Sequence, residues 1–267
     1  MHLAISLAAL DPDTPRALLR AADLGYRFVE IPLRPDEFDY GYRRKPNARF
    51  YRELRQQADA LGLAVWSVAS LPLSQEQMFS GRARKEILLG GAAAAGILGA
   101  RVFVVQPADI YASEDAFYAG LQGRKAPAVV EGFDEIWAQV VNRRMTLALQ
   151  NRDYWLGSPL TNQPDRLADL LEELAIGCAL DVRAAVYRST LANWLGCVGE
   201  RLALATLYDL DAAGALQGPA GPEWPEWLAQ LAATRLKCAV VRPGRDEGDA
   251  ALSDGRRALE AALLPER

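Results

Sequence analysis

Short, continuous runs of apolar residues recur along the chain, and between them apolar residues recur at helical spacing. Continuous runs are typical of parallel strands covered on both faces, whereas the wider spacing is typical of helices with one buried face. The sequence therefore predicts eight strands, which are HLAISL (2–7), RFVEI (27–31), LAVWSV (63–68), RVFVV (101–105), MTLAL (145–149), GCALDV (177–182), RLALATL (201–207) and KCAVV (237–241).

The stretches between these runs predict helices. The first follows Thr14-Pro15, a pair that favours the start of a helix. The predicted helical stretches are 18–24, 50–61, 87–98, 129–141, 167–174, 224–231 and 252–264. Strands and helices therefore alternate along the chain.

Eight strand–helix units in 267 residues favour a closed (β/α)8 barrel, the TIM barrel, which typically needs about 250 residues. An open, doubly wound sheet is the alternative. That fold favours a glycine-rich phosphate-binding turn after the first strand, and the stretch LAALDPDTP has no GxGxxG pattern. No linker or low-complexity tract divides the chain, so residues 1–267 are predicted to form a single barrel domain.

Two long loops are predicted to lie at the C-terminal mouth of this barrel, because they follow the second and fourth strands. They are PDEFDYGYRRKP (35–46) and the segment 107–127. Barrel enzymes carry their active sites at this mouth, so the longer loop is a candidate lid. Ordinary surface decoration would explain both loops equally well.

The composition of the chain argues against two classes of binding partner, nucleic acids and membranes. Hydrophobic residues make up 51% of the chain and charged residues 24%, which is typical of a globular protein. The net charge is −4, and no basic stripe suggests a nucleic-acid partner. The apolar stretch 87–100 is too short to span a bilayer, so no membrane partner is expected.

The N-terminal stretch MHLAISLAALDPDTP lacks the basic region of a signal peptide. The three cysteines, Cys178, Cys197 and Cys238, have neither CxxC nor zinc-ligand spacing. Reduced, mostly buried thiols in a cytoplasmic protein are therefore expected. A homo-oligomer remains open.

Residues at the carboxyl ends of barrel strands carry the chemistry of this fold. That set comprises Glu30, Ser67, Gln106, Gln150, Asn151, Arg152, Asp181, Arg183, Thr206, Tyr208, Asp209 and Arg242, with Trp155 close behind. Each has a structural alternative, since Glu30 could pair with an arginine, Gln106 could cap a loop and Asp181 could cap a helix. If the barrel closes, these residues converge on one ring, which favours a binding site.

Several phrases of the sequence carry a family resemblance. Gly25-Tyr26-Arg27-Phe28-Val29-Glu30 fits the pattern G-aromatic-x-x-V-E, the stretch from Ala58 to Leu63 fits A-x-x-L-G-L, and Leu98-Gly99-Ala100 fits L-G-A. Through these phrases nearly the whole chain resembles the xylose isomerase-like TIM barrels. That family includes sugar-phosphate isomerases and epimerases and the class II AP endonucleases. The resemblance implies isomerisation or epimerisation of a sugar or sugar-like acid at the mouth.

The resemblance also implies a metal site. Its usual ligands are a Glu ending strand five, an Asp in L-D-x-x-H at strand six, a His in H-x-x-D at strand seven and a Glu ending strand eight. The matching positions here are Gln150, Asp181, Thr206 and Arg242. The histidine of the strand-six motif falls on Ala184, and His2, the one histidine of the chain, lies at the opposite end of a strand.

This ligand set predicts that no metal cofactor is bound. Divalent cations are held by carboxylates and imidazoles, and an amide and a hydroxyl replace them poorly. A guanidinium repels the ion. A weak divalent cation at Asp181 remains open. We also expect Arg242 to pair with Glu30, Asp181 or both, and to compensate their charge in place of the metal.

Two functions remain open. In the first, the mouth binds a small polar or anionic carbohydrate-like ligand without a catalytic metal, with arginines gripping an anion and Trp155 stacking on a sugar face. Such a barrel could also be a non-catalytic partner subunit. In the second, the protein is a metal-independent isomerase or epimerase, with Glu30 or Asp181 as base and an arginine such as Arg242 as electrophile. DNA repair is disfavoured, since it would require the missing zinc ligands.

Overall fold

The computed structural model describes residues 1–34, 38–39, 45–70, 81–106, 133–151, 163–245 and 247–263. A closed barrel of eight parallel strands forms its centre, and each strand pairs with its neighbours in the sequence until the eighth pairs with the first. The strands are β1 His2–Ser6, β2 Phe28–Pro32, β3 Ala64–Ala69, β4 Val102–Val105, β5 Thr146–Gln150, β6 Gly177–Asp181, β7 Leu202–Leu207 and β8 Cys238–Val241. The predicted (β/α)8 barrel and its eight strands are confirmed.

Within the described residues, nine α-helices accompany the strands. They are α1 Thr14–Asp23, α2 Ala48–Ala60, α3 Gly81–Leu98, α4 Phe133–Asn142, α5 Pro164–Glu173, α6 Val182–Arg188, α7 Leu191–Val198, α8 Trp224–Ala232 and α9 Asp249–Leu263. Seven of them overlap the predicted helical stretches. The helices α6 and α7 were missed because they are short, and because α6 begins directly after the last residue of β6.

Local signals place several of these ends. Asp13 caps α1, since its Oδ1 accepts a hydrogen bond from the Arg16 N–H at 2.9 Å, and a proline occupies the first turn. After α2 and α3 the chain turns through Gly62 and Gly99, whose φ angles are +69° and +70°. Glycine adopts this left-handed conformation without strain. The phrases A-x-x-L-G-L and L-G-A therefore encode turns between a helix and the next strand.

The apolar core has two layers. The larger layer lies between the strands and the helices. The smaller one fills the barrel interior and consists of Ala4, Trp66, Val102, Val104, Ala148, Ala179, Leu204, Cys238 and Val240. Most of these interior residues are small, so Trp66 fills a large share of the space. This closed packing makes the interior a solid core below the mouth.

The described residues also settle the expectation about thiols. Cys178 and Cys238 are buried, Cys197 is exposed, and none of the three forms a disulfide. Burial raises the pKa of the Cys178 thiol to about 12, which keeps it protonated. In the described part of the chain, no helix is long and apolar enough to cross a membrane.

The loops that were predicted over the mouth are described only in part. Residues 38–39 pair antiparallel with residues 45–46, within the predicted loop 35–46. The candidate lid at 107–127 lies outside the described residues.

Candidate functional site at the barrel mouth

A layer of polar side chains closes the barrel interior at the C-terminal ends of the strands. Side chains alternate between the two faces of a strand, so a residue two positions beyond an interior residue also points inward. The rule can be applied to the interior layer and to Phe28, which packs against it. It places one polar residue at the end of each strand or directly after it, except for β3. With the serine of β3, the set is Ser6, Glu30, Ser67, Gln106, Gln150, Asp181, Thr206 and Arg242, called the mouth ring below.

Most of the mouth ring is withdrawn from solvent. Six of its members are buried side chains with at most 2% of their surface exposed, namely Ser6, Glu30, Ser67, Gln150, Asp181 and Thr206. Polar groups in such positions are costly unless they are hydrogen-bonded. Their partners therefore indicate what the ring is built to hold.

A β-bulge brings Ser67 into the ring. Val29 pairs with Val65 and Glu30 pairs with Ser67, so the extra residue of β3 is Trp66. Trp66 lies in the interior layer, and regular alternation would turn the next residue outward. The bulge instead lets the Ser67 hydroxyl donate to Glu30 Oε2 at 3.1 Å.

The carboxylate of Glu30 also meets a cation, as the sequence predicted. Arg242 Nη2 lies 3.5 Å from Glu30 Oε1, a long charge-assisted contact between two largely buried side chains. The backbone N–H of Arg242 donates to the Leu207 carbonyl at 2.9 Å, which extends the ladder between β7 and β8 by one residue. The predicted pairing of Arg242 with Glu30 is thus observed.

Asp181 is fixed by both its backbone and its side chain. The Asn151 side chain accepts a hydrogen bond from the Asp181 N–H at 2.6 Å and donates one to the Asp181 carbonyl at 3.1 Å. These two bonds resemble those that the backbone of a neighbouring strand would make. Asp181 Oδ1 accepts from the Ala184 N–H at 3.0 Å and caps α6, as the structural alternative for this residue anticipated. Asn151 therefore positions Asp181, and its predicted role in ligand binding stays a prediction.

Two buried hydrogen-bond donors of the ring have no partner among the described residues. They are the hydroxyl oxygen of Ser6 and the amide nitrogen Nε2 of Gln150. Buried polar atoms are rarely left without a partner, and each exception calls for an explanation. A ligand in the mouth is one such explanation.

Arg183 and Asp209 serve a network beside the ring. Arg183 contacts Asp209 Oδ1 at 2.8 Å and Glu223 Oε1 at 2.6 Å. Asp209 Oδ2 accepts from the Gly221 N–H at 2.9 Å and from the Trp224 indole at 3.3 Å. This network fastens the segment between β7 and α8 to the start of α6, so both residues have structural partners, and their predicted role in ligand binding stays a prediction.

A second set of hydrogen bonds joins the loops that follow β7 and β8. Glu247 accepts hydrogen bonds from the backbone N–H groups of Gly218 at 2.7 Å and Gly244 at 2.9 Å. A Cβ on Gly244 would lie 2.3 Å from the Leu216 carbonyl oxygen, so only glycine permits this approach. This side of the mouth is therefore held by fixed contacts.

The remaining predicted residues divide into two groups. Tyr208 is buried and Gln106 is partly buried at the end of β4. Arg152 and Trp155 lie outside the described residues. Sequence reasoning missed Ser6, Glu223 and Glu247. The signal for Ser6 was its place as the polar residue near the end of HLAISL.

Neither a protein-family model nor a curated protein matches the chain. Solved structures do match. A D-psicose 3-epimerase, solved in the presence of D-fructose, is 11% identical with a TM-score of 0.72, and the match covers 100% of both chains. An L-ribulose 3-epimerase is 15% identical with a TM-score of 0.69, over 98% of this chain and 94% of that one. A xylose isomerase domain protein from Alicyclobacillus acidocaldarius is 16% identical with a TM-score of 0.66, over 98% of each chain.

Identities of this size show a shared fold. The three matches span essentially the full length of this chain, and they include the class of barrel that the sequence phrases resemble. The expected resemblance is therefore confirmed for the fold: the chain forms a closed (β/α)8 barrel similar to those of these solved structures.

Proposed function

We propose that the protein binds a small, polyhydroxylated, sugar-like molecule in the barrel mouth, and that it does so without a catalytic metal. The observation that carries this proposal is that two buried hydrogen-bond donors, Ser6 Oγ and Gln150 Nε2, have no partner among the described residues. Leaving such a group unsatisfied costs about 1–3 kcal/mol, which a bound hydroxyl or carbonyl oxygen would recover.

The chemistry of the mouth ring supports this class of ligand. A sugar hydroxyl both donates and accepts a hydrogen bond, and it can match a serine hydroxyl, a threonine hydroxyl and an amide at once. Ser6, Thr206 and Gln150 offer these groups above an apolar floor. The names of the structural matches, which include epimerases acting on ketoses, support the same class.

A second candidate is metal-independent epimerisation, favoured by the contact between Glu30 and Arg242. Glu30 would take a proton from the carbon beside the ligand carbonyl, and Arg242 would stabilise the negative charge that develops on the carbonyl oxygen. A second acid on the opposite face would have to deliver a proton to the carbon to invert it. Asp181 is the alternative base.

Calorimetric titration with D-fructose and D-allulose tests the binding proposal, with EDTA present. We expect saturable binding that is weakened at least tenfold in Gln150→Met, which keeps the side-chain length and removes the amide. Gln139→Met is the matched control, because the Gln139 amide donates to the Leu89 carbonyl on the helix layer. Absence of saturable binding for both ketoses and for a panel of other sugars and polyols would contradict the proposal.

Exchange of the ligand's carbon-bound hydrogen with deuterated water, followed by NMR, tests the second candidate. We expect exchange in the presence of EDTA and its loss in Glu30→Gln. Binding without exchange would identify the protein as a binding barrel.

A further inference from the structure

The resemblance to xylose isomerase-like barrels implies a divalent cation at the mouth, and the mouth ring fits such an ion poorly. The four positions that match the family's ligands carry Gln150, Asp181, Thr206 and Arg242. Among the residues that the structure describes, no three His, Cys, Asp or Glu side chains are grouped so as to hold a metal ion. Divalent cations require such ligands to replace their water shell.

The guanidinium of Arg242 lies inside the ring. Val240, two residues earlier, belongs to the interior layer, so strand alternation directs Arg242 inward as well. Its side chain is 13% exposed, and that of its partner Glu30 is 1% exposed. A buried carboxylate requires a nearby cation or several donors to remain charged, and Arg242 supplies the cation.

Both oxygens of Glu30 have a partner of this chain. Oε1 faces Arg242 Nη2 at 3.5 Å, and Oε2 accepts from Ser67 at 3.1 Å. A metal that bound this carboxylate would compete with these partners and would lie beside a fixed positive charge. The arrangement satisfies the carboxylate without any ion.

We propose that Arg242 is the resident cation of the mouth ring. Its guanidinium provides, as a fixed side chain, the positive charge that a divalent metal provides in metal-dependent barrels. The ring consequently neither needs nor retains a divalent metal.

The test compares melting temperatures in Mn²⁺ and in EDTA for the full-length protein, Arg242→Ala, and the double variant Glu30→Gln with Arg242→Ala. Wild-type protein should melt at the same temperature in both and hold no stoichiometric metal after dialysis. Arg242→Ala should melt lower by on the order of 10 °C, because it leaves a buried charge uncompensated. The double variant should regain most of this loss, since the carboxylate itself is gone.

Mn²⁺ should raise the melting temperature of Arg242→Ala, because the ion can enter the space of the lost guanidinium, and it should have no effect on the double variant. Arg256→Ala is the matched control. Arg256 pairs with Glu260 on α9 at 2.8 Å, and Mn²⁺ should not restore that variant.

Three outcomes would overturn the proposal. They are stoichiometric metal in dialysed wild type, a melting temperature of Arg242→Ala equal to that of wild type, and a double variant no more stable than Arg242→Ala. If Arg242→Ala does not fold, the melting temperature of the double variant alone tests the proposal. Because these measurements use no sugar, their failure would leave the proposed binding of a sugar untouched.

Discussion

The two ends of the barrel are built from the same strands with opposite chemistry. At the N-terminal end, the His2 ring lies 4.3 Å from Phe28 and 5.1 Å from Trp66, and the Arg101 guanidinium stacks 4.8 Å from Trp66. At the C-terminal end, the same three strands β1, β2 and β3 supply Ser6, Glu30 and Ser67. Along β2, one step of strand alternation separates Phe28 at the aromatic end from Glu30 at the polar end.

The contrast shows which end of the barrel contains buried groups that lower its stability unless they have partners. The aromatic end buries apolar surface, which stabilises the barrel directly. The polar end buries carboxylates, an amide and hydroxyls, each of which requires a partner. Such cost at the C-terminal face of a barrel is typical of a functional site, and apolar packing at the opposite face is typical of stability.

The largest expected effect lies at the aromatic end. Trp66→Ala should lower the free energy of unfolding by about 3–5 kcal/mol, because it leaves a cavity in the barrel interior. Chemical denaturation measures this loss. Trp66→Phe is the control, which keeps an aromatic ring and removes an indole nitrogen with no partner among the described residues. A loss in Trp66→Phe as large as in Trp66→Ala would show that packing at this end is not the source of stability.

Asn151 tests how firmly the polar end is positioned. Asn151→Ala removes both hydrogen bonds to the Asp181 backbone, and each buried group that is left unsatisfied costs about 1–3 kcal/mol. The free energy of unfolding should fall by that amount or more, and sugar affinity should fall with it. Asn193→Ala is the control, because Asn193 lies on the exposed side of α7 and bonds to Ser189. Equal losses in the two variants would refute a positioning role for Asn151.

The two buried serines of the ring, Ser67 and Ser6, are expected to differ in how much they contribute to stability. The expected effects are smaller than those at Trp66 and Asn151. Ser67→Ala should cost about 1.5–3 kcal/mol, because the Ser67 hydroxyl donates to the charged Glu30 carboxylate. Ser6→Ala should leave the stability of the ligand-free protein unchanged, since the Ser6 hydroxyl has no partner among the described residues, and should weaken sugar binding. Denaturation and titration of both variants make the comparison. A destabilised Ser6→Ala that binds sugar normally would remove the main support for the binding proposal.

The smallest expected effect is a pH dependence at the aromatic end. Partial desolvation, the positive N-terminus and Arg101 lower the pKa of His2 below its ordinary value of 6.5. The unfolded chain therefore binds this proton at a higher pH than the folded chain, so stability falls as the pH drops below about 6.5. His2→Gln should remove this part of the pH dependence. Since His2 is the one histidine of the chain, melting curves between pH 5 and 7.5 isolate its effect. Parallel curves for wild type and variant would contradict the prediction.

The sequence predicted the barrel well because the patterns that specify it are local. Apolar runs marked all eight strands, and the spacing of apolar residues marked seven of the nine described helices. The strand ends also indicated Glu30, Gln150, Asp181 and Thr206 as members of one ring. The roles of Asn151 and Arg183 were less predictable, because their partners belong to other strands and loops.

Local sequence thus specified the strands, their turns and the polar character of their last residues. The tertiary structure alone decided which of those residues meet. Glu30 and Arg242 are 212 positions apart in the chain, and they come into contact because the barrel closes through β1. Ser67 reaches Glu30 because a bulge changes the register of β3, which the alternation of residues does not reveal. Pairing depends on closure and register, both of which are set by the packing of the whole sheet, whereas a strand depends on its own few residues.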